Sequence, residues 1–184
     1  MRRAWLISVV LAAVLPAGSL EAGSAKSRQQ AEFQKSRTAQ NKPQDAPKPS
    51  GSEMVSAVGM TWHSSLPAAQ AEAKKTGRPI LVLGTGSDWC GFCMRLEKSV
   101  LSDKAFQKFA AENLVLVYAD KPSRKKQTPE VAKNSQEVLA KFGVRGFPTV
   151  ILLSPDGTEL GRKVGYGGQN ARQYVKDLKG LLKK

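Results

Sequence analysis

Three short apolar runs recur along the second half of the chain: 79–83 (Pro-Ile-Leu-Val-Leu), 114–118 (Leu-Val-Leu-Val-Tyr) and 149–153 (Thr-Val-Ile-Leu-Leu). Each is short and continuous, with none of the polar alternation of a strand that has one wet face. They read as strands covered on both sides. A sheet covered on both faces needs helices on both, and helical patterns fill the intervals. Residues 62–75 read as an extended entry followed by a helix, with Ser64 or Ser65 as cap, alanines through its body and Gly77 as its stop. Residues 90–101 place Cys93, Leu96 and Val100 on one side of a second helix, and Ser102-Asp103 re-caps a continuation through Phe106, Phe109 and Ala110. Residues 130–142 form a helix stopped by Gly143, and 170–182 a closing amphipathic helix. Pro155-Asp156-Gly157 is a turn signal, so 158–164 returns beside the third run as a hairpin strand. The order helix, strand, helix, strand, helix, strand, strand, helix predicts an α/β sandwich around a mixed sheet, its last strand pair antiparallel.

The pattern occupies residues 54–184, one ordinary domain with one core. Residues 1–22 carry a basic start (Arg2, Arg3), a short apolar core and small residues after it. That is the layout of a secretory signal peptide, with cleavage after Ala22 or Ala17; an uncleaved membrane anchor is the alternative. Residues 23–53 are rich in Ser, Gln, Lys, Ala and Pro, with Phe33 the one large apolar side chain. A segment of that composition cannot offset its ordering entropy, so it reads as a tether, stiffened by Pro43, Pro47 and Pro49.

The net charge is +14, or +13 without residues 1–22. A surplus of that size favours acidic partners or an anionic envelope surface. Nucleic acid is not expected, because the charge is spread over tether, loop and last helix with no basic stripe interleaved with aromatics. The basic segment after Asp120, with Lys121, Arg124, Lys125 and Lys126, reads as a solvated connection.

The chemistry resides in the two cysteines, Cys90 and Cys93, within Asp88-Trp89-Cys90-Gly91-Phe92-Cys93. A strand delivers Cys90 to its end, and a helix begins there and carries Cys93 into its first turn. A helix start stabilises an anion, so the Cys90 thiol can ionise below its free pKa of about 8.5. A thiolate at that position attacks disulfides, and Cys93 is placed to resolve the mixed disulfide. With no spare cysteine, nothing mispairs in an oxidising compartment. A structural zinc site needs four ligands, and this chain offers two cysteines and a distant His63. His63 has no evident orienting partner for a Cys–His hydrolase and reads as a partly exposed residue near a helix start. Trp89 and Phe92 pack around the pair and serve as substrate contacts. Arg95 and Lys98 could raise thiolate character if they lean toward Cys90, or be solvated helix faces. Gly91 makes the turn between the cysteines undemanding.

With Asp88-Trp89-Cys90-Gly91-Phe92-Cys93 early in the domain, Asp120 after the second strand and Gly146-Phe147-Pro148-Thr149 before the third, residues 60–182 resemble the thioredoxin superfamily, most closely its exported members with a Trp-Cys-x-x-Cys site. The resemblance implies a thioredoxin-like three-layer sandwich, a redox-active Cys90–Cys93 disulfide, and a cis Pro148 packed beside it. Phe147 would lend its backbone to an extended substrate peptide, with Thr149 supporting the turn. It also implies protein thiols or disulfides as substrates, a redox partner that resets the pair, no cofactor beyond the cysteines, and a periplasmic location. The family's buried acid, six positions before the first Cys, is replaced here by Gly84. That leaves Cys93 without an identified proton acceptor, and Asp88 reads as a solvated loop carboxylate. The Gly91-Phe92 pair is closer to the Gly-Tyr and Gly-His of disulfide isomerases than to the Gly-Pro of thioredoxins, which tilts the expectation from reductant toward oxidant or isomerase. A peptide-binding or scaffold module using the Phe147–Pro148 groove, and copper(I) delivery by the two thiolates, are the alternatives of other classes.

Overall fold

The computed structural model describes residues 54–183. The signal peptide and tether expected over residues 1–53 lie outside the described residues. The elements run β1 (Met54–Ala57), β2 (Met60–His63), α1 (Leu66–Thr76), β3 (Ile80–Thr85), α2 (Gly91–Leu96), a π-helical turn (Glu97–Leu101), α3 (Lys104–Asn113), β4 (Val115–Asp120), α4 (Pro129–Lys141), β5 (Thr149–Leu153), β6 (Glu159–Val164) and α5 (Ala171–Leu181).

The six strands form one sheet in the order β1-β2-β4-β3-β5-β6. β3 and β4 pair in parallel from Ile80↔Val115 to Thr85↔Asp120. β5 runs antiparallel to β3 and β6 antiparallel to β5, so the expected mixed sheet and hairpin are both present. Side chains alternate across a strand, and the apolar runs of β3 and β5 therefore feed two cores. Leu81, Leu83, Val150 and Leu152 join Leu96, Val100, Phe106 and Tyr174 on the face covered by α2, the π turn, α3 and α5. Ile80, Val82, Ile151 and Leu153 join Ala69, Val138 and Leu139 under α1 and α4. Each large apolar side chain so buried contributes about 2–3 kcal/mol.

The hairpin β1–β2 differs from expectation, which starts the ordered pattern at Trp62 with an extended entry to a helix and gives no strand pair. Its turn is Val58-Gly59, both at positive φ (55° and 71°), the pattern of a type I′ turn. A β-branched residue is a poor choice there, and the sequence gives no sign of the turn beyond its glycine. Packing decides it: Val58 lies against the first core, and its carbonyl accepts a hydrogen bond from Gln107 Nε2 at 3.1 Å. Trp62 is fully buried, donates its indole N–H to the Ala57 carbonyl at 2.9 Å and meets Tyr118 edge-on. His63 is not partly exposed at a helix start. It sits buried at the end of β2, with Nε2 2.7 Å from Glu72 Oε2.

Candidate active site

The C-terminal ends of β3 and β4 lie side by side and deliver two loops to one edge of the sheet. The loop after β3, residues 86–90, is folded over Gly86, whose carbonyl accepts the N–H groups of both Trp89 (3.3 Å) and Cys90 (2.9 Å). Gly86 is required by close approach: a Cβ there would sit 2.5 Å from the indole of Trp89. Cys90 caps α2, and its sulfur accepts the N–H of Cys93 at 3.2 Å. The helix start thus points a donor at the sulfur expected to carry charge. Cys90 and Cys93 are joined as a disulfide with Cα atoms 5.2 Å apart. Cys90 retains 7% exposure and Cys93 none, so an incoming group meets Cys90.

An apolar collar surrounds the pair. Trp89, Phe92 and Met94 are exposed, and the Trp89 ring meets Phe147 edge-on at 5.8 Å. The Phe147–Pro148 peptide bond is cis and Pro148 is buried. Its carbonyl accepts the Gly165 N–H at 2.7 Å, and the Thr149 hydroxyl closes the turn on the Gly146 carbonyl at 2.8 Å. The structure thus gathers Trp89, Cys90, Phe92, Phe147 and Pro148 at one edge of the sheet. Arg95 takes the second of its two readings: its guanidinium lies 4.3 Å over the Phe92 ring instead of turning to the sulfur. Gly91 has no atom within 4 Å of where a Cβ would be, in keeping with an undemanding turn.

Two readings of this edge are extended. Asp88 is a solvent-accessible loop carboxylate, as expected, but it is not idle. Its oxygens accept the backbone N–H groups of three consecutive residues, Ser123 (2.8 Å), Arg124 (2.6 Å) and Lys125 (2.7 Å). These donors, Ser123 first, hold its pKa down to about 2. The basic segment is the solvated connection expected, its four cations exposed, and it is also latched to the active-site loop. The Trp89 indole donates to the Lys121 carbonyl at 2.7 Å. One residue earlier, Ser87 donates its N–H (2.9 Å) and hydroxyl (2.6 Å) to the buried Asp120 carboxylate at the end of β4.

Glu97 was missed. It lies one turn beyond Cys93, its N–H donating to the Cys93 carbonyl, at the entry to the π turn, a distortion that recurs at functional sites. Its half-buried carboxylate accepts from the Tyr118 hydroxyl at 3.1 Å and lies 3.5 Å from the Thr85 hydroxyl. Desolvation pushes its pKa up, and the nearby Asp120 charge adds to the effect. Burial likewise pushes the Tyr118 hydroxyl up. The signal available in the sequence was the spacing, an acid four residues after the second cysteine on an otherwise apolar helix face. Gly84, where the family's acid stands, is sealed: a Cβ would lie 3.0 Å from Leu139 Cδ2 and 3.4 Å from Val144 Cγ1.

A family model described as a thioredoxin-like domain matches residues 66–179. The disulfide bond reductase DsbH of Chlamydia pneumoniae is 31% identical over 129 residues, 70% of this chain and 76% of that protein. The thiol:disulfide interchange protein DsbD of Yersinia pestis is 30% identical over 118 residues, 62% of this chain and 18% of that longer protein. Among solved structures, a DsbH oxidoreductase superposes with a TM-score of 0.63 at 28% identity, over 80% of this chain and 98% of that one. A match over most of the folded part, joined to a relative that shares most of its length and to the same edge-mounted dithiol, places the chain in the thioredoxin-like family, among its thiol–disulfide oxidoreductases.

Proposed function

We propose that the protein works outside the cytoplasm as a reductant of protein disulfides. The Cys90 thiolate attacks one sulfur of a substrate disulfide, and the other sulfur leaves as a thiolate. Cys93 then attacks Cys90, releasing the second substrate thiol and leaving the Cys90–Cys93 disulfide. Two electrons pass from the dithiol to the substrate, and a dithiol partner returns them. No cofactor takes part. Trp89 and Phe92 cover the substrate's apolar side chains, and Phe147 aligns an extended segment beside Pro148.

The observation that carries the reducing direction is the immediate surroundings of Cys90. One N–H reaches its sulfur, and the nearest basic residue in sequence, Arg95, is stacked on Phe92. A weakly stabilised thiolate means a less stable reduced form, hence a lower potential. This outweighs the tilt toward an isomerase given by Gly91-Phe92. The name of the Chlamydia pneumoniae relative, a disulfide bond reductase, supports the same direction. Glu97 supplies the proton acceptor absent at Gly84: a carboxyl with a raised pKa, one turn from the buried Cys93, exchanges a proton with the thiol that must ionise to resolve the mixed disulfide.

Export rests on the basic start and apolar core of residues 1–22, and the surplus of lysine and arginine supports contact with the anionic envelope surface. The deciding measurement is the reduction potential of the Cys90–Cys93 pair in dithiothreitol and glutathione buffers. A value near about −270 mV is expected, and one near about −120 to −180 mV would reverse the direction. A pair that does not cycle would leave a peptide-binding module in place of an enzyme.

A further inference from the structure

A groove of about 700 Å³ opens between the latched loop and α4 and reaches Phe147. Its wall is apolar, formed by Leu139, Val144 and Phe147, and its rim carries Lys121, Lys125 and Arg145. All three cations are exposed, and none forms a salt bridge among the described residues; of the three, Lys125 also feels the charge of a carboxylate outside the groove, Glu97. The single carboxylate lining the groove, Asp120, is buried and engaged on both oxygens by Ser87. The other acid on this loop edge, Asp88, is occupied by three backbone donors. Between Lys121 and Pro129 the chain has four basic residues and no acidic one. The groove ends at Phe147, whose ring touches Trp89 next to Cys90.

We propose that this groove selects disulfide substrates whose cysteine is flanked by acidic residues interleaved with apolar ones, with Lys121, Lys125 and Arg145 as the specificity residues and Asp88 as the positioning residue that fixes the loop of the two lysines. The inference rests on the thiol–disulfide reading and adds a substrate class to it. The groove reaches Phe147, which meets Trp89 next to Cys90, so a segment continuing from a cysteine held at Cys90 can run along the cations. The loop of the two lysines is pinned at Trp89 and Asp88, so little ordering is required when the segment binds. The apolar wall contributes burial, and the positive rim steers encounter and penalises basic segments.

The test uses the full chain, reduced with dithiothreitol and freed of it. Two peptide disulfide homodimers of equal length are compared, one with Glu and Leu flanking the cysteine, the other with Lys and Leu. In each turnover the dithiol becomes a disulfide and one peptide disulfide becomes two peptide thiols, followed by acid quench and chromatography. The acidic peptide is expected to react at least tenfold faster at low salt, with the ratio collapsing toward unity in high salt. The triple variant Lys121→Ser, Lys125→Ser, Arg145→Ser is expected to lose the ratio. A control with the same charge change elsewhere, Lys74→Ser, Lys75→Ser, Lys108→Ser, is expected to keep it. Equal rates for the two peptides in the unaltered protein would overturn the inference and leave the redox reading intact. So would a groove variant that keeps the ratio, or a control that loses it equally, which would assign the preference to overall charge. Exchange with neither peptide would remove the redox reading and this inference with it.

Discussion

Asp88 and Glu97 flank the dithiol in the chain, one on the loop before it and one on the helix after it, and their pKa values shift in opposite directions. On the loop side, Asp88 meets three backbone N–H donors and its carboxyl stays ionised down to a pKa of about 2. On the helix side, Glu97 meets one hydroxyl at 3.1 Å, a second at 3.5 Å and the field of Asp120, and its pKa is raised. Burial does not set the sign by itself, since desolvation raises both groups. The balance of burial and donors does: desolvation is the largest influence on half-buried Glu97, whereas backbone donors, Ser123 first, overcome it at Asp88. The difference separates two tasks. A carboxylate that is charged throughout the physiological range can hold a loop in place, whereas one poised nearer neutrality can move a proton.

The largest effect belongs to the sulfurs between these regions. Cys90→Ser should abolish disulfide exchange, by roughly 10³-fold or more, whereas Cys93→Ser should accumulate a mixed disulfide with substrate, visible on non-reducing gels. If Cys93→Ser turned over and Cys90→Ser trapped the substrate, the assignment of Cys90 as the attacking sulfur would be reversed.

Asp88→Ala removes the shared acceptor of three amides. Hydrogen exchange at Ser123, Arg124 and Lys125 should accelerate by roughly 10–100-fold while β3 and β4 keep their protection. The sign with pH is fixed by the depressed pKa. The latch contributes in full above the ordinary carboxyl value of 3.8 and is lost as pH falls through about 2. Protection of those amides that persisted below that range would show that the carboxylate is not what holds the loop.

Glu97→Gln probes the other side and should act with the opposite sign. The folded protein binds this proton more tightly than the unfolded chain, so stability is highest below the ordinary value of 4.5 and declines as pH rises through the raised folded pKa. The amide should therefore raise Tm at pH 7 by roughly 2–4 °C and leave it unchanged at pH 4. Resolution of the mixed disulfide should slow in the same variant, with its pH dependence altered. An equal change in Tm at both pH values would point to packing instead of protonation.

The smallest effect is expected at Gly91. With no atom within 4 Å of a Cβ there, Gly91→Ala should alter stability by no more than about 0.5 kcal/mol, measured by urea unfolding of the oxidised protein. A larger loss would mean that the turn between the two regions is under a constraint the contacts do not show.

The apolar runs at 79–83, 114–118 and 149–153 and the caps between them were enough to order the central strands and the helices between and after them, including the re-capped continuation that is α3. The Cys90–Cys93 spacing was enough to name the chemistry, because these are signals of neighbours in the chain: period, cap, turn residue and reactive pair. The hairpin at Val58-Gly59 was not legible, because a β-branched residue at positive φ is held there by a core and by Gln107, 49 residues away. Nor was the latch, since Asp88 and its three donors are separated by 35 to 37 positions and meet when β3 and β4 pair in parallel. The sequence by itself determined which residues are able to do chemistry. Tertiary structure decided which carboxyl has its pKa raised and which lowered, which loop is tied to the active site and which cations line the groove, because those depend on donors, burial and charges that packing alone brings together.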